Sequence, residues 1–303
     1  MRPVQTADMA DMVERADMAG DIGVERVDGA DGAPGVVRVV LRHPGRLNAM
    51  SRAMWRQLRA VFEQLQADDG ARCVLIEGEG DAFCAGGDIS EYPAFRFDRE
   101  ALRDFHETDV WGGLAAMLAC DVPIVAGIRG ACMGAGVEIA SCCDVRIAGA
   151  GARFGAPIAR LGFPMAPREA QLVAGAVGDL IARQMLLEAA TFGAEAMAAR
   201  GFLNRVVADE ALAAEALASA RRIAALAPAA ARMNKQTLRA LKGPAAHIPL
   251  GRGAIDNVAI GPAATAPGQG PGPFADPDPY AYADSPEHRE GIMAFLAKRP
   301  PVF

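Results

Sequence analysis

No apolar run in this 303-residue chain is long and uninterrupted enough to span a bilayer. No block of basic residues stands out, and no cysteine pair falls at zinc-ligand spacing beside histidine. The first absence argues against a helical membrane span. The second argues against nucleic acid or an anionic lipid surface as partner. The third, with four histidines scattered along the chain, argues against a metal centre. Residues 1–21 repeat Ala-Asp-Met and carry several acids but no continuous apolar stretch. They read as a disordered acidic leader rather than a secretory signal or an Arg-rich transit peptide, which implies a cytoplasmic protein. The six cysteines lie mostly in apolar segments of a long chain, so they are expected to be reduced and buried.

What is present is 51% apolar residues, enough for a sizeable core, and a net charge of −6 spread in both signs. Two glycine-rich loops stand out, Phe83–Ile89 (FCAGGDI) and Arg129–Ala140 (RGACMGAGVEIA), each following a β-branched apolar run. Glycine lets backbone N–H groups approach a ligand closely, and a helix N-terminus adds unpaired donors with partial positive charge. The second loop runs into a helix with Glu138 in its first turn. That arrangement suits a developing oxyanion with a carboxylate beside it to move a proton. On spacing alone, Glu138 is equally well explained as an acid complementing the helix dipole.

Strands are predicted at 36–41, 73–76, 123–128 and 145–148. Helices are predicted at 52–66, capped by Ser51, then at 98–119 and from the second loop to about 142. Strands alternating with helices imply mainly parallel pairing. Residues 168–178, 179–189, 193–200, 210–226 and 228–242 read as helices. Residues 243–284 are rich in Pro, Gly and Ala and read as a mobile surface linker. Ser285 caps a final amphipathic helix on which Ile292, Phe295 and Leu296 share a face. Asp88 is taken as support for its own glycine-rich turn. His43 and Trp111 are read as packing or surface residues. Tyr92, Phe95, Phe97 and Trp111 fit either an acyl-pocket lining or subunit contacts.

Four segments, LRHPGRLNAMS (41–51), GDAFCAGGDI (80–89), PIVAGIRGACMGAGVEIASCCDVRIA (123–148) and HREGIMAFLAKRPPVF (288–303), together resemble the enoyl-CoA hydratase/isomerase, or crotonase, family. The resemblance implies an α/β fold, a spiral of ββα turns with a C-terminal helical trimerisation region. The core would span 22–200 and the helical region 201–303. It implies a homo-oligomer, a trimer or dimer of trimers, acting on an acyl-CoA thioester whose coenzyme A is substrate, with no separate cofactor. By position it places the oxyanion-hole amides at Ala85 and Ala135 and a catalytic acid at Glu138. It places substrate contacts at Arg46, Ala49, Gly86, Gly134, Ile158, Phe295 and Lys298.

The chain departs from the pattern at Ile158, where the family carries its second acid. Glu169, eleven residues further on, reads as a first-turn helix carboxylate. The implied reaction is addition of water to a 2-enoyl-CoA. The alternatives are another isomerase or lyase reaction of the family, or a non-catalytic acyl-CoA-binding protein.

Overall fold

The structure, a computed structural model, describes residues 20–27, 35–241 and 278–303. The acidic leader up to residue 19, and residues 242–277 of the Pro/Gly-rich stretch, lie outside the described residues. The framework is a six-stranded sheet of β1 (Asp21–Val27), β2 (Val36–Arg42), β3 (Cys73–Gly78), β4 (Ile124–Ile128), β6 (Val145–Gly149) and β9 (Arg205–Val207), hydrogen-bonded in that order. β1 pairs antiparallel with β2, and every other pairing is parallel. A second sheet orders β5 (Ala131–Met133), β7 (Arg153–Gly155) and β8 (Thr191–Gly193) as β5-β7-β8.

Successive stretches of chain repeat one pattern. β4 joins the large sheet, β5 the small one, and α4 (Ala135–Ser141) follows; β6 and β7 repeat the step before α5 (Pro167–Val177). This is the ββα spiral that the sequence implied. The short strands β5, β7, β8 and β9 carry three residues each, too few to leave an alternating pattern in the sequence.

The large sheet is buried on both faces, as a mostly parallel sheet requires. Alternate residues make the split. Val37, Val39, Leu41, Val74 and Ile76 join the main core, while Val36, Cys73, Leu75 and Val125 pack against Leu212, Ala216 and Ala220 of α8 (Leu212–Ala224). The first helix, α1 (Arg52–Gln66), turns Met54, Trp55, Leu58, Phe62 and Leu65 inward, and the Ser51 hydroxyl accepts from Met54 N–H at 3.2 Å.

The helix expected over 98–119 divides into α2 (Arg99–Asp104), a π-helical turn at Phe105–Val110, and α3 (Trp111–Ala119). α6 (Asp179–Leu187), α7 (Ala194–Ala199) and α9 (Pro228–Leu241) complete the helical half near the expected bounds. All six cysteines are buried free thiols, and burial pushes Cys84 and Cys143 up to about 12.

One expectation is overturned. Residues 278–284, read as the end of a surface linker, are packed into the molecule: Tyr280, Tyr282 and Ala283 are buried ahead of α10 (Pro286–Leu296). Two tyrosines with apolar and polar partners stabilise a segment whose Pro/Gly-rich composition gives no hint of docking.

Removing the ring of Phe62, fully buried under the sheet, leaves a cavity the helix cannot close. Phe62→Ala is expected to lower unfolding free energy by about 3–5 kcal/mol in chemical denaturation, whereas a loss under 1 kcal/mol would show that this face is loosely packed.

Candidate active site

The two glycine-rich loops lie side by side through backbone pairing. Cys84 bridges Cys132 in parallel, and Met133 N–H donates to the Cys84 carbonyl at 2.9 Å. The contact is closest at Gly86 and Gly134, where a Cβ on Gly134, whose φ is +46°, would lie 3.7 Å from Gly86 Cα. Gly136 is tighter still, since its Cβ would come 2.6 Å from the Cys84 carbonyl oxygen. The turn after β2 locks the first loop in place. Asn48 donates to the Glu79 and Ala82 carbonyls at 2.8 Å each, and its Oδ1 accepts from His43 N–H at 3.1 Å.

This geometry corrects the first oxyanion assignment. The Ala85 N–H donates to the Leu47 carbonyl at 3.0 Å and is unavailable to a ligand. Two residues on, the chain reverses roles in an extended bridge to Met50. Met50 N–H donates to the Gly86 carbonyl, and Asp88 N–H donates to the Met50 carbonyl. The intervening Gly87 N–H has no acceptor among the described residues. A Cβ at Gly87 would collide with the Tyr92 hydroxyl, so a side chain there requires that ring to shift. In the second loop, Ala135 is the first residue of α4. The first intrahelical bond runs from Glu138 N–H to the Gly134 carbonyl at 3.0 Å, so the Ala135 amide precedes it.

Glu138 sits in that first turn and is only 8% exposed. Burial, then the like charge of Glu169, push its carboxyl up to about 8, against a smaller opposing pull from Arg96. Its proton is therefore retained at neutral pH. Glu169, the third residue of α5, is 2% exposed, and its Oε1 accepts from His106 Nδ1 at 3.2 Å. Glu169 is the first-turn helix carboxylate expected of it, but it is buried, on a helix that packs against α4.

Arg96 is 1% exposed and bears no carboxylate ion pair among the described residues. Its Nε, Nη1 and Nη2 donate to His288 Nε2, His106 Nε2 and the Tyr282 hydroxyl, each at 3.4 Å. The rings of Tyr92 and Phe163 lie 4.4 and 4.1 Å from its guanidinium carbon. Burial depresses the pKa of His106, and lowers that of His288 to about 4.

The remaining candidate residues divide. Arg46 is half-exposed at the loop mouth, with Nη1 3.9 Å from Asp88 Oδ1. Ala49 is buried and its carbonyl accepts from His43 Nδ1 at 2.6 Å. Asp88 accepts from Ser90 N–H at 3.0 Å, the loop support expected of it. Ile158 opens the short 3-10 turn against which α10 packs. Phe295 and Lys298 are exposed, and no described contact joins them to Glu138. Ile292 is buried and Phe295 is not, so core packing does not account for this phenylalanine. His43 and Trp111 are buried, as packing residues would be. A separate cleft of about 240 Å³, lined by Arg38, Arg42, Glu77 and Arg129, lies on the α8 side of the large sheet and shares no residue with the Glu138 cluster.

The sequence model of the enoyl-CoA hydratase/isomerase family matches residues 31–246. The chain belongs to that family. A probable enoyl-CoA hydratase of Mycobacterium tuberculosis is 34% identical over 214 residues, 69% of this chain and 80% of that protein. A putative enoyl-CoA hydratase of Thermus thermophilus is 29% identical over 277 residues, 88% of this chain and 97% of that one. Among solved structures, an enoyl-CoA hydratase/carnithine racemase of Magnetospirillum magneticum superposes with a TM-score of 0.69 at 32% identity, covering 92% of this chain and 94% of the other. An enoyl-CoA hydratase/isomerase of Xanthobacter autotrophicus gives 0.72 at 27% identity, covering 92% and 96%. The shared architecture accounts for the spiral, the paired loops and the helix that begins at Ala135.

Sequence reasoning missed Arg96 and His106. Arg96 is a single cation between two phenylalanines and His106 lies in a polar stretch, patterns that ordinary packing and a solvated face produce equally well. The π-helical turn that carries His106 leaves no signature in hydrophobic spacing, although such turns recur at functional sites.

The raised pKa of Glu138 has a stability consequence. The folded chain keeps a proton that the unfolded chain releases as pH rises past about 4.5, so stability falls from there to about 8 and is level above. Glu138→Gln removes that loss. The variant should exceed wild type in Tm by more at pH 8.5 than at pH 5, and an equal difference at both would show that Glu138 titrates normally.

Proposed function

We infer that this family member hydrates 2-enoyl-CoA thioesters through an enolate. The observation that carries the reading is a buried Glu138 in the first turn of the helix whose first amide, that of Ala135, is unengaged, with a second unengaged amide at Gly87 on the paired loop. Addition of the water oxygen to the β-carbon drives the π electrons towards the thioester oxygen. Two N–H donors aimed at that oxygen stabilise the negative charge where it forms, and each such donor is typically worth about 2.7–4 kcal/mol of activation free energy. A carboxylic acid beside the α-carbon then completes the addition by giving up its proton. These donors belong to the backbone, so the change from the usual glycine to Ala135 keeps the amide while its methyl narrows the approach.

The thioester and one water supply all the reacting atoms, and no separate cofactor enters the scheme. Phe295 and Lys298, exposed on the last helix, suit the adenine and phosphate end of coenzyme A, with Lys298 as a point charge. Arg46 at the loop mouth suits the same end. Helix α9 buries none of its residues and exposes Met233, Leu238 and Leu241, consistent with a homo-oligomeric, trimer-based assembly. No helix among the described residues is long and apolar enough to cross a membrane, and a cytoplasmic location agrees with the acid-rich leader.

Purified protein should convert a short or medium 2-enoyl-CoA to the 3-hydroxyacyl-CoA, followed by loss of enoyl absorbance. Glu138→Gln should lower kcat by about 10²–10⁴-fold while acyl-CoA still binds. Equal inertness of wild type and variant, with both binding, would instead establish an acyl-CoA-binding protein. At the nucleotide end, Lys298→Ala should raise KM several-fold at constant kcat, because a phosphate contact is made equally in ground and transition states. An unchanged KM removes Lys298 from the substrate.

A further inference from the structure

We propose that Glu169 is the second proton-carrying carboxylate of this site, and that His106, itself held by Arg96, is the residue that positions it. The proposal rests on the hydratase reading above. Hydration breaks one O–H bond of water and makes one C–H bond, so a proton must be accepted from water and one delivered to the α-carbon, work that two carboxyls can divide. Ile158 can do neither. Glu169 reaches the cluster from a different element, the first turn of α5, which packs against the helix of Glu138, and it is buried there with Oε1 3.2 Å from His106 Nδ1.

The hydrogen-bond chain settles its own polarity. A guanidinium has only donors, so the His106 nitrogen that faces Arg96, Nε2, must present a lone pair. The proton then sits on Nδ1 and points at Glu169 Oε1. The same logic fixes His288: its Nε2 accepts from Arg96, and its Nδ1–H donates to the Ala283 carbonyl at 2.8 Å. Both rings are therefore neutral and acceptor-facing towards Arg96. The guanidinium is surrounded by neutral acceptors and aromatic faces, and the Glu169 carboxylate, one imidazole away, is its counter-charge.

Other charged or titratable groups bear on His106. Glu107 adjoins it on the π-helical turn. Tyr280 stacks over it with ring centres 5.8 Å apart, its hydroxyl donating to Glu107 Oε1 at 2.7 Å. Tyr282 and His288 approach from the C-terminal segment through Arg96. Arg168, next to Glu169, pairs with Glu107 at 2.9 Å.

The balanced step follows from these positions. Glu169 accepts a proton from water as the water oxygen bonds to the β-carbon, and the π electrons move to the thioester oxygen. Glu138 gives its proton to the α-carbon as those electrons return. Glu169 is then protonated and Glu138 ionised, and one proton passed between them resets the site. The Nδ1–H of His106 holds Glu169 Oε1 throughout and leaves Oε2 for the water.

Three variants test this. Glu169→Gln keeps an acceptor for His106 Nδ1–H, so the fold should survive, with Tm within a few degrees and acyl-CoA affinity unchanged. Its kcat for hydration should fall about 10²–10⁴-fold. In ¹³C-carboxyl NMR of the unliganded protein, the Glu138 titration should move to lower pH when the neighbouring charge is gone, a readout that needs no turnover. His106→Gln should lower kcat about tenfold at constant KM and shift the pH–rate profile, and Glu169→Asp should retain partial activity. A folded Glu169→Gln with wild-type kcat overturns the role of Glu169 and leaves the hydratase reading standing. An unmoved Glu138 titration overturns the pairing of the two acids whatever the activity. Wild-type protein that hydrates no 2-enoyl-CoA while the Glu138 titration shifts as expected overturns the hydratase reading and, with it, the proton-carrying role, leaving the electrostatic pair.

Discussion

Everything in this site depends on the side-by-side pairing of two glycine-rich loops. The bond from Met133 N–H to the Cys84 carbonyl, and the bridge between Cys84 and Cys132, fix the loops in register. Pairing of the first loop with Leu47 and Met50 in the turn after β2 then decides which of its amides are consumed internally and which remain. Ala85 is consumed by Leu47, while Gly87 and Ala135 remain. Gly136 serves this approach directly, since a Cβ there would come 2.6 Å from the Cys84 carbonyl oxygen, while Gly86 and Gly134 supply the positive φ the two loops need. Asn48, donating to two carbonyls of the neighbouring stretch, braces the arrangement from the turn after β2.

Around that backbone frame the molecule buries an unusual set of charges. Two carboxyls, two imidazoles and a guanidinium share a nearly dry interior. Burying an unpaired charge is costly, so the groups adjust to one another. Glu138 keeps its proton, His106 and His288 stay neutral, and Arg96 is left opposite Glu169 with an imidazole between them.

The C-terminal segment closes this interior. Tyr280 stacks on His106, Tyr282 and His288 meet Arg96, and α10 packs on the turns that carry Tyr92 and Ile158. Residues nearly two hundred positions from Arg96 in sequence therefore set its environment. A chain lacking this segment would expose the guanidinium and lose two of its acceptors, the Tyr282 hydroxyl and His288 Nε2.

The residues themselves specified the four central strands β2, β3, β4 and β6, most helix bounds, the caps at Ser51 and Ser285, the loop-supporting role of Asp88 and the helix that begins beside Glu138. These follow from local periodicity, side-chain-to-backbone bonds and glycine placement, all of which act over a few residues. Tertiary structure decided which amide of the first loop stays free, because that depends on pairing with Leu47 and Met50 across a turn. It alone brought Glu169, His106 and Arg96 together, because side-chain direction on separate helices is set by how those helices pack. It also decided that residues 278–284 dock and that Phe295 faces outward, since burial is a property of neighbours and not of composition.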